Sequence, residues 1–243
     1  MSLRTLVLAG IAGVVLNAGA ASAAPVAPSF QTFGDLPGAT FGGSGIPTDP
    51  TAIRTISTGP QTVTLGLAAT PRFGSPALGN DGAGTYFAEP GRSLSPTNLE
   101  GALWNFSFFV GIEGAGSQSI QSIGAEILYD FDPAADTELA NHGVWSLSQT
   151  AAVFGGSPTL FEDSQNLLFD FLATDFPPLI TAPLGAFDPD VVGEYTFMLR
   201  LTNLDAQPVS IRVKVGAVPL PAAGPLAAGA FALLGVAAWR RRA

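Results

Sequence analysis

The sequence predicts an all-β fold, an antiparallel β-sandwich of jelly-roll-like or immunoglobulin-like arrangement. In the middle of the chain several runs alternate apolar and polar residues with a period of two, and turn-forming residues separate them. Glycine and proline are abundant, with 29 and 20 residues among 243. No helix-period segment longer than two turns stands out in this part of the chain. Alternation of this kind puts one face of each strand in a core and the other in water, as in antiparallel sheets.

Six runs carry the alternation. The last two lie in residues 195–204 and 208–215 and predict a hairpin, because only residues 205–207 connect these two segments. The apolar positions of the runs fall within residues 63–67, 104–112, 123–131, 167–173, 195–201 and 209–215. Turn-rich segments lie at residues 34–50, 71–97, 155–158 and 176–190.

The first 23 residues predict a secretory signal peptide. Arg4 precedes an apolar run over residues 5–16, and small residues lead to an A-x-A site formed by Ala21 and Ala23. We expect signal peptidase to cleave after Ala23. The exported β-sandwich domain would then span residues 24–217.

The last 26 residues predict a membrane anchor. Residues 222–239 carry no charge and three arginines follow them, Arg240, Arg241 and Arg242. A helix over residues 222–239 would be about 27 Å long, close to the roughly 30 Å hydrocarbon core of a bilayer. We therefore expect a transmembrane helix in membrane lipid, with the arginines on the cytoplasmic side and the domain on the periplasmic side of the inner membrane.

The tail has a third part, the pentapeptide Val218, Pro219, Leu220, Pro221 and Ala222. Together with the apolar segment and the arginine cluster, it resembles the PEP-CTERM class of bacterial sorting signals, in its VPLPA variant, over residues 218–243. The resemblance implies that an exosortase-type transpeptidase recognises the pentapeptide, cleaves near it and transfers the protein to another anchor. It also implies a cell-surface or extracellular-matrix protein of biofilm-forming bacteria, with exopolysaccharide as a further partner.

The charge of the central part limits its partners. All 19 acidic residues but only six basic ones lie within residues 24–217, a formal charge of −13. Such a surface repels phosphate backbones, so we expect no nucleic-acid partner. It could attract divalent cations, and Asp130, Asp132 and Asp136 are the candidate calcium ligands. The segment at residues 130–136 lacks the third ligand position and the glycine of an EF-hand loop, so the favoured interpretation is that these acids are solvated turn residues. We expect no other cofactor.

Catalytic motifs are sparse, and we predict no enzyme. The chain has no cysteine and one histidine, His142, which excludes the usual zinc sites and thiol nucleophiles. The glycine-rich stretch at residues 42–46 fails the nucleophile-elbow pattern at its last position and suits a flexible linker. Neighbouring acids could serve a glycosidase only if two of them faced each other. The candidate pairs are Asp130 with Asp132, Glu162 with Asp163, and Asp188 with Asp190.

Aromatic residues leave an alternative open. Trp104 lies on the apolar face of its run and is predicted to be core. Trp145 follows a turn and could stack on sugar rings, although a core position is favoured. The alternative function is accordingly a tethered carbohydrate-binding module or a glycan-active enzyme.

Overall fold

A computed structural model describes residues 25–73, 76–94 and 99–216 of the chain, and these residues are mostly β. The predicted signal peptide at residues 1–23, with Ala21 and Ala23, lies outside them. So do the pentapeptide and the apolar segment at residues 218–239 and the arginines at residues 240–242.

One sheet has five strands, all of them antiparallel to their neighbours, in the order β1-β2-β3-β8-β11. Its strands are β1 (Thr32–Gly34), β2 (Thr51–Ser57), β3 (Gln61–Pro71), β8 (Trp104–Gly114) and β11 (Leu160–Gln165).

The second sheet has seven strands in the order β12-β10-β9-β13-β14-β5-β4. They are β4 (Gly79–Asn80), β5 (Thr85–Ala88), β9 (Ala125–Tyr129), β10 (Gly143–Ser146), β12 (Ile180–Thr181), β13 (Gly193–Leu201) and β14 (Val209–Val215). The predicted hairpin is confirmed, because β13 and β14 pair antiparallel. A two-stranded ribbon, β6 (Arg92–Ser93) with β7 (Gly101–Ala102), a helix α1 (Leu147–Phe154), and two 3₁₀ turns (Leu139–Asn141 and Asp170–Ala173) complete the described elements.

The core lies between the two sheets and is rich in aromatic rings. Phe106 of β8 stacks on Phe197 of β13 at 4.9 Å between ring centroids, and Phe108 meets Trp145 of β10 edge to face at 5.3 Å. Trp104, predicted to be core, is 1% exposed. Five of the six alternating runs, those at residues 63–67, 104–112, 123–131, 195–201 and 209–215, therefore bury the faces that the period-two pattern assigns to the interior, as in two packed sheets.

Three features differ from the sequence-based predictions. The predicted strand over residues 167–173 is wrong: the edge strand is β11, earlier in the chain, and residues 170–173 form a 3₁₀ turn. The seven-stranded sheet is mixed rather than antiparallel throughout, because β5 pairs parallel to β14. Helix α1, of eight residues, was not predicted; Ser146, the N-cap residue before it, accepts the Gln149 N–H with its hydroxyl oxygen.

The turn-rich segment after β1 packs against the edge of the five-stranded sheet. Glu162 of β11 accepts hydrogen bonds from the backbone N–H groups of Thr40 and Phe41, at 2.7 and 2.8 Å, and from the Thr40 hydroxyl. Phe41 is fully buried, and Gly42 has a positive φ of 72° where it passes close to Asp163. Glu162 therefore orders this loop, which is packed rather than a free linker.

Candidate functional site

A polar cavity of about 460 Å³ opens on the outer face of the seven-stranded sheet. Ser146 of β10, Glu126 of β9 and Arg200 of β13 are cross-strand neighbours and form its floor. They point outward because the residues that flank them in each strand, such as Ile127 and Leu199, face the core. Further polar side chains that line it are Gln121, Gln149, Thr181, Thr202 and Asn203.

An ion pair fixes the centre of this cavity. The Nε and Nη2 atoms of Arg200 donate to Oε2 of Glu126 at 3.0 and 2.8 Å. Within the described part of the chain, Oε1 of Glu126 and Nη1 of Arg200 have no hydrogen-bond partner. The pair is partly exposed, with 21% of the Glu126 side chain and 38% of the Arg200 side chain accessible. One acceptor and one donor are therefore held in place and face solvent.

Some of the other side chains that line the polar cavity are hydrogen-bonded within the protein, and others are not. The Ser148 hydroxyl donates to the Ile120 carbonyl and accepts the Ala125 N–H. By contrast, the side-chain amides of Gln121 and Gln149 and the hydroxyl of Thr181 hydrogen-bond to no other described residue. The side chains of Gln121, Gln149 and Thr181 are therefore available to a ligand.

An aromatic groove of about 540 Å³ adjoins the polar cavity, and Leu179 lines both. Trp145 forms its floor, and its walls include Phe154, Phe171 and Phe176. Phe154 and Phe176 are 71% and 59% exposed, unusually high for large apolar side chains.

The indole N–H and the side-chain hydroxyls of the aromatic groove are already paired within its walls. The indole N–H of Trp145 donates to the Thr150 hydroxyl at 3.0 Å, and that hydroxyl donates to the Ser146 carbonyl at 2.8 Å. The Thr174 hydroxyl donates to the Asp170 carbonyl. The groove therefore presents an apolar surface. The favoured prediction for Trp145, a core position, is confirmed, since only 5% of the residue is exposed.

A buried polar cluster lies on the outer face of the seven-stranded sheet, next to the end of β9. Thr196 of β13 donates its hydroxyl and its N–H to the Asp130 carboxylate, and His142 Nε2 lies 2.6 Å from the Thr196 hydroxyl oxygen. The other ring nitrogen of His142, Nδ1, donates to the Glu138 carbonyl at 3.1 Å. Burial raises the pKa of Asp130 to about 7, and burial lowers the pKa of His142.

The candidate calcium ligands are not gathered around a common point. Asp130 is 1% exposed and faces Thr196 and His142, whereas Asp132 accepts the Ala134 N–H in an exposed turn and Asp136 is exposed. Among the described residues, no group of three or more histidine or acidic side chains could hold a metal ion. The calcium site stays a prediction.

The remaining acid pairs have structural partners. Asp188 and Asp190 both contact the Arg92 guanidinium, at 3.2 and 2.7 Å, and Glu100 contacts it at 3.3 Å. Together they join the β6–β7 ribbon to the loop before β13. Glu162 and Asp163 contact the loop after β1, as described above.

Sequence reasoning missed the polar cavity as a site. Glu126 and Arg200 both occupy polar positions of predicted runs, but only the pairing register of β9 with β13 shows that they are opposite each other. Helix α1, which supplies Gln149, was also not predicted.

The described residues contain no helix that is long and apolar enough to cross a bilayer, and the predicted helix at residues 222–239 lies outside them. No family model matches the sequence, and no curated protein or solved structure shows significant similarity to it.

Proposed function

We propose that this chain is an exported, non-enzymatic protein of the bacterial cell surface or extracellular matrix. It would be inserted with its β domain on the periplasmic side of the inner membrane and sorted by an exosortase-type transpeptidase. Its role would be structural or adhesive, in association with exopolysaccharide in a biofilm. At the finer level of fold, we propose a jelly-roll-like or immunoglobulin-like sandwich between the signal peptide and the sorting tail.

The observation that carries the proposal is the order of three sequence features after the last strand. The pentapeptide at residues 218–222, the uncharged segment and the arginines at residues 240–242 follow β14, which ends at Val215. β14 is hydrogen-bonded on both sides, by β13 and by β5, and the Gly216 N–H donates to the Ala88 carbonyl at 3.0 Å. A load on the tail would pass into the interior of the larger sheet, which suits a tethered protein.

The buried cluster supports a role other than catalysis. Asp130, Thr196 and His142 bring together a carboxylate, a hydroxyl and an imidazole, but the hydroxyl lies between the other two groups. In a catalytic triad the imidazole occupies that place. All three residues are at most 6% exposed, so a substrate could not reach them without local unfolding.

The sorting role is tested in the native host by replacing the first four residues of the pentapeptide, residues 218–221, with alanines. We expect the variant to stay in the inner membrane with its tail intact, whereas the parent is shorter in intact-mass measurement and lies further outward. Three alanines at residues 205–207, the exposed turn between β13 and β14, provide the control and should leave sorting unchanged. If the pentapeptide variant has the mass and location of the parent, the sorting role is wrong.

The alternative is a tethered carbohydrate-binding module or glycan-active enzyme. The juxtaposition of a polar cavity and an aromatic groove on one sheet edge favours it. Turnover of the organism's own polysaccharide by the purified protein would support the enzyme, and binding without turnover by a protein that keeps its tail in the native host would support the module.

A further inference from the structure

We propose that the polar cavity around Glu126 and Arg200 is a binding site for neutral saccharide units, and that the aromatic groove extends it. This inference rests on the proposed association with exopolysaccharide, and it adds the site and the class of ligand.

The free hydrogen-bonding groups of the cavity complement sugar hydroxyls. Each hydroxyl both donates and accepts, so neighbouring hydroxyls of a sugar are best met by an acceptor and a donor side by side. Oε1 of Glu126 and Nη1 of Arg200 are such a pair. The amides of Gln121 and Gln149 each add an acceptor and two donors, and the Thr181 hydroxyl adds one of each.

The groups at the centre are preorganised. Glu126 and Arg200 lie on adjacent strands in the interior of the sheet, and their mutual hydrogen bonds hold both side chains. A ligand would therefore need to order few side chains on binding, which reduces the entropic cost of association.

The charge balance favours a neutral saccharide over an acidic one. The two charges at the centre of the cavity cancel, and the rest of the domain carries the large negative charge described above. Uronate or sulfate groups would be repelled by this field and would find Arg200 already paired. A neutral sugar loses no comparable hydration energy on entering.

The aromatic groove provides the apolar part of the interaction. One face of a pyranose ring is lined by C–H groups, and flat aromatic side chains suit such a face. The exposed rings of Phe154 and Phe176 line the groove, and Leu179 lines both the groove and the polar cavity. An oligosaccharide that crosses Leu179 could therefore place one unit among hydrogen-bonding groups and another against aromatic rings.

The test measures binding of oligosaccharides to the full chain purified in detergent, by calorimetry. The neutral probes are cellohexaose, mannohexaose and laminarihexaose, and the acidic probe is an oligogalacturonate. We expect at least one neutral probe to bind with a dissociation constant below about 1 mM, and the acidic probe to bind more weakly. Glu126→Gln keeps the volume of the side chain but removes the ion pair that holds an acceptor beside a donor of Arg200. We expect this variant to weaken binding at least tenfold.

Glu113→Gln is the matched control, because Glu113 is an exposed residue of the five-stranded sheet and the charge change is the same. It should bind like the parent. Thr181→Val removes one exposed hydroxyl at the sheet edge and gives a second variant should Glu126→Gln lower the melting temperature. The proposal is overturned if no neutral probe binds, or if both cavity variants bind as tightly as the parent.

The inference and the proposed function fail in different experiments. In the native host, Glu126→Gln should be processed and located like the parent. If the parent binds no saccharide but is sorted normally, only the proposed saccharide site is wrong. Normal sorting of the pentapeptide variant, together with saccharide binding by the parent, would remove only the sorting role.

Discussion

Nε2 of His142 lies 3.4 Å from Oδ2 of Asp130, and the hydroxyl of Thr196 is hydrogen-bonded to both atoms. Because Nδ1 of His142 donates to the Glu138 carbonyl, the remaining hydrogen bonds of this chain need one further proton. That proton can reside on Asp130 or on Nε2 of His142, with the Thr196 hydroxyl turned accordingly. The cluster is formally neutral in both arrangements, which suits its burial.

The opposite pKa shifts of the two residues compensate each other during unfolding. Burial raises the pKa of Asp130 from 3.8 to about 7, with smaller contributions from Asp132 and Glu194, and burial lowers the pKa of His142 from 6.5. Between roughly pH 4.5 and 6, the folded cluster holds one exchangeable proton. The unfolded chain also holds one, on the histidine. The pair therefore contributes almost no pH dependence to stability in this window.

Replacing His142 should reveal how Asp130 alone makes the stability depend on pH. In His142→Asn, Asp130 is protonated in the folded state and ionised in the unfolded state between about pH 4.5 and 6. Stability from a raised carboxyl pKa is present at low pH and is lost as the pH rises toward the folded pKa. We expect the destabilisation relative to the parent to grow by up to about 2 kcal/mol across this window, measured by urea unfolding.

Asp130→Asn should show the opposite slope. The remaining His142 is neutral when folded and charged when unfolded below its ordinary pKa, so the penalty relative to the parent should shrink as the pH rises toward 6.5. Asp136→Asn, at an exposed position after the cluster, is the control and should follow the parent. Parallel slopes for the two cluster variants would contradict the shared proton.

Asn166 should be one of the most sensitive polar positions of the domain. It is fully buried, its carbonyl oxygen accepts the N–H groups of Ala102 and Leu168, and its amide donates to the carbonyls of Ala102 and Trp104. Asn166→Leu keeps the branching of the side chain but replaces the amide with two methyl groups, which leaves these backbone groups unpaired. We expect a loss of about 3 kcal/mol in the free energy of unfolding.

The comparison for Asn166 is Asn203→Leu. Asn203 is exposed and donates a single side-chain hydrogen bond, to the Ser122 carbonyl. Its replacement should cost less than about 1 kcal/mol. Equal costs at the two positions would mean that the backbone groups around Asn166 find other partners.

The period-two pattern predicted the strands whose two faces differ, and failed where they do not. The inward residues of β8, β13 and β14 are apolar and their outward residues are mostly polar, apart from Phe109 and Met198, and these strands were predicted. β5 lies in a segment dominated by turn residues, and its four residues are too few to show a period. β11 alternates weakly because it is an edge strand whose residues are all partly or fully exposed.

The candidate sites could be predicted only in part for a related reason. The side chains of the polar cavity come from four separate segments of the chain, and their convergence depends on strand order and register. Burial of Asp130 was also hidden, because it occupies a polar position of the alternating run at residues 123–131, which predicts a side chain that faces solvent. By contrast, Trp145 could be assigned to the interior from its size and the β-rich composition alone.

The loop after β1 should depend on Glu162 for its order. The Glu162 carboxylate accepts three hydrogen bonds from Thr40 and Phe41, and no other acceptor for these two N–H groups is given by the described residues. In Glu162→Ala we expect faster hydrogen exchange at both amides and a loss of about 2 kcal/mol in stability. Glu113→Ala, in the adjacent strand but exposed, should change neither. Unchanged exchange in Glu162→Ala would show that packing of Phe41 alone holds the loop.

The rings of the aromatic groove should differ sharply in what they contribute to stability. Phe154 is mostly exposed, so Phe154→Ser should change the free energy of unfolding by less than about 0.5 kcal/mol. Trp145 packs against Phe108, Phe161 and Phe171, and Trp145→Ala should cost about 3–5 kcal/mol. The apolar dye ANS should bind the parent through this groove, and Phe154→Ser should lower its fluorescence while the melting temperature stays the same. Dye fluorescence that is unaffected by Phe154→Ser would place the accessible apolar surface elsewhere, and would remove the aromatic groove from any account of ligand binding.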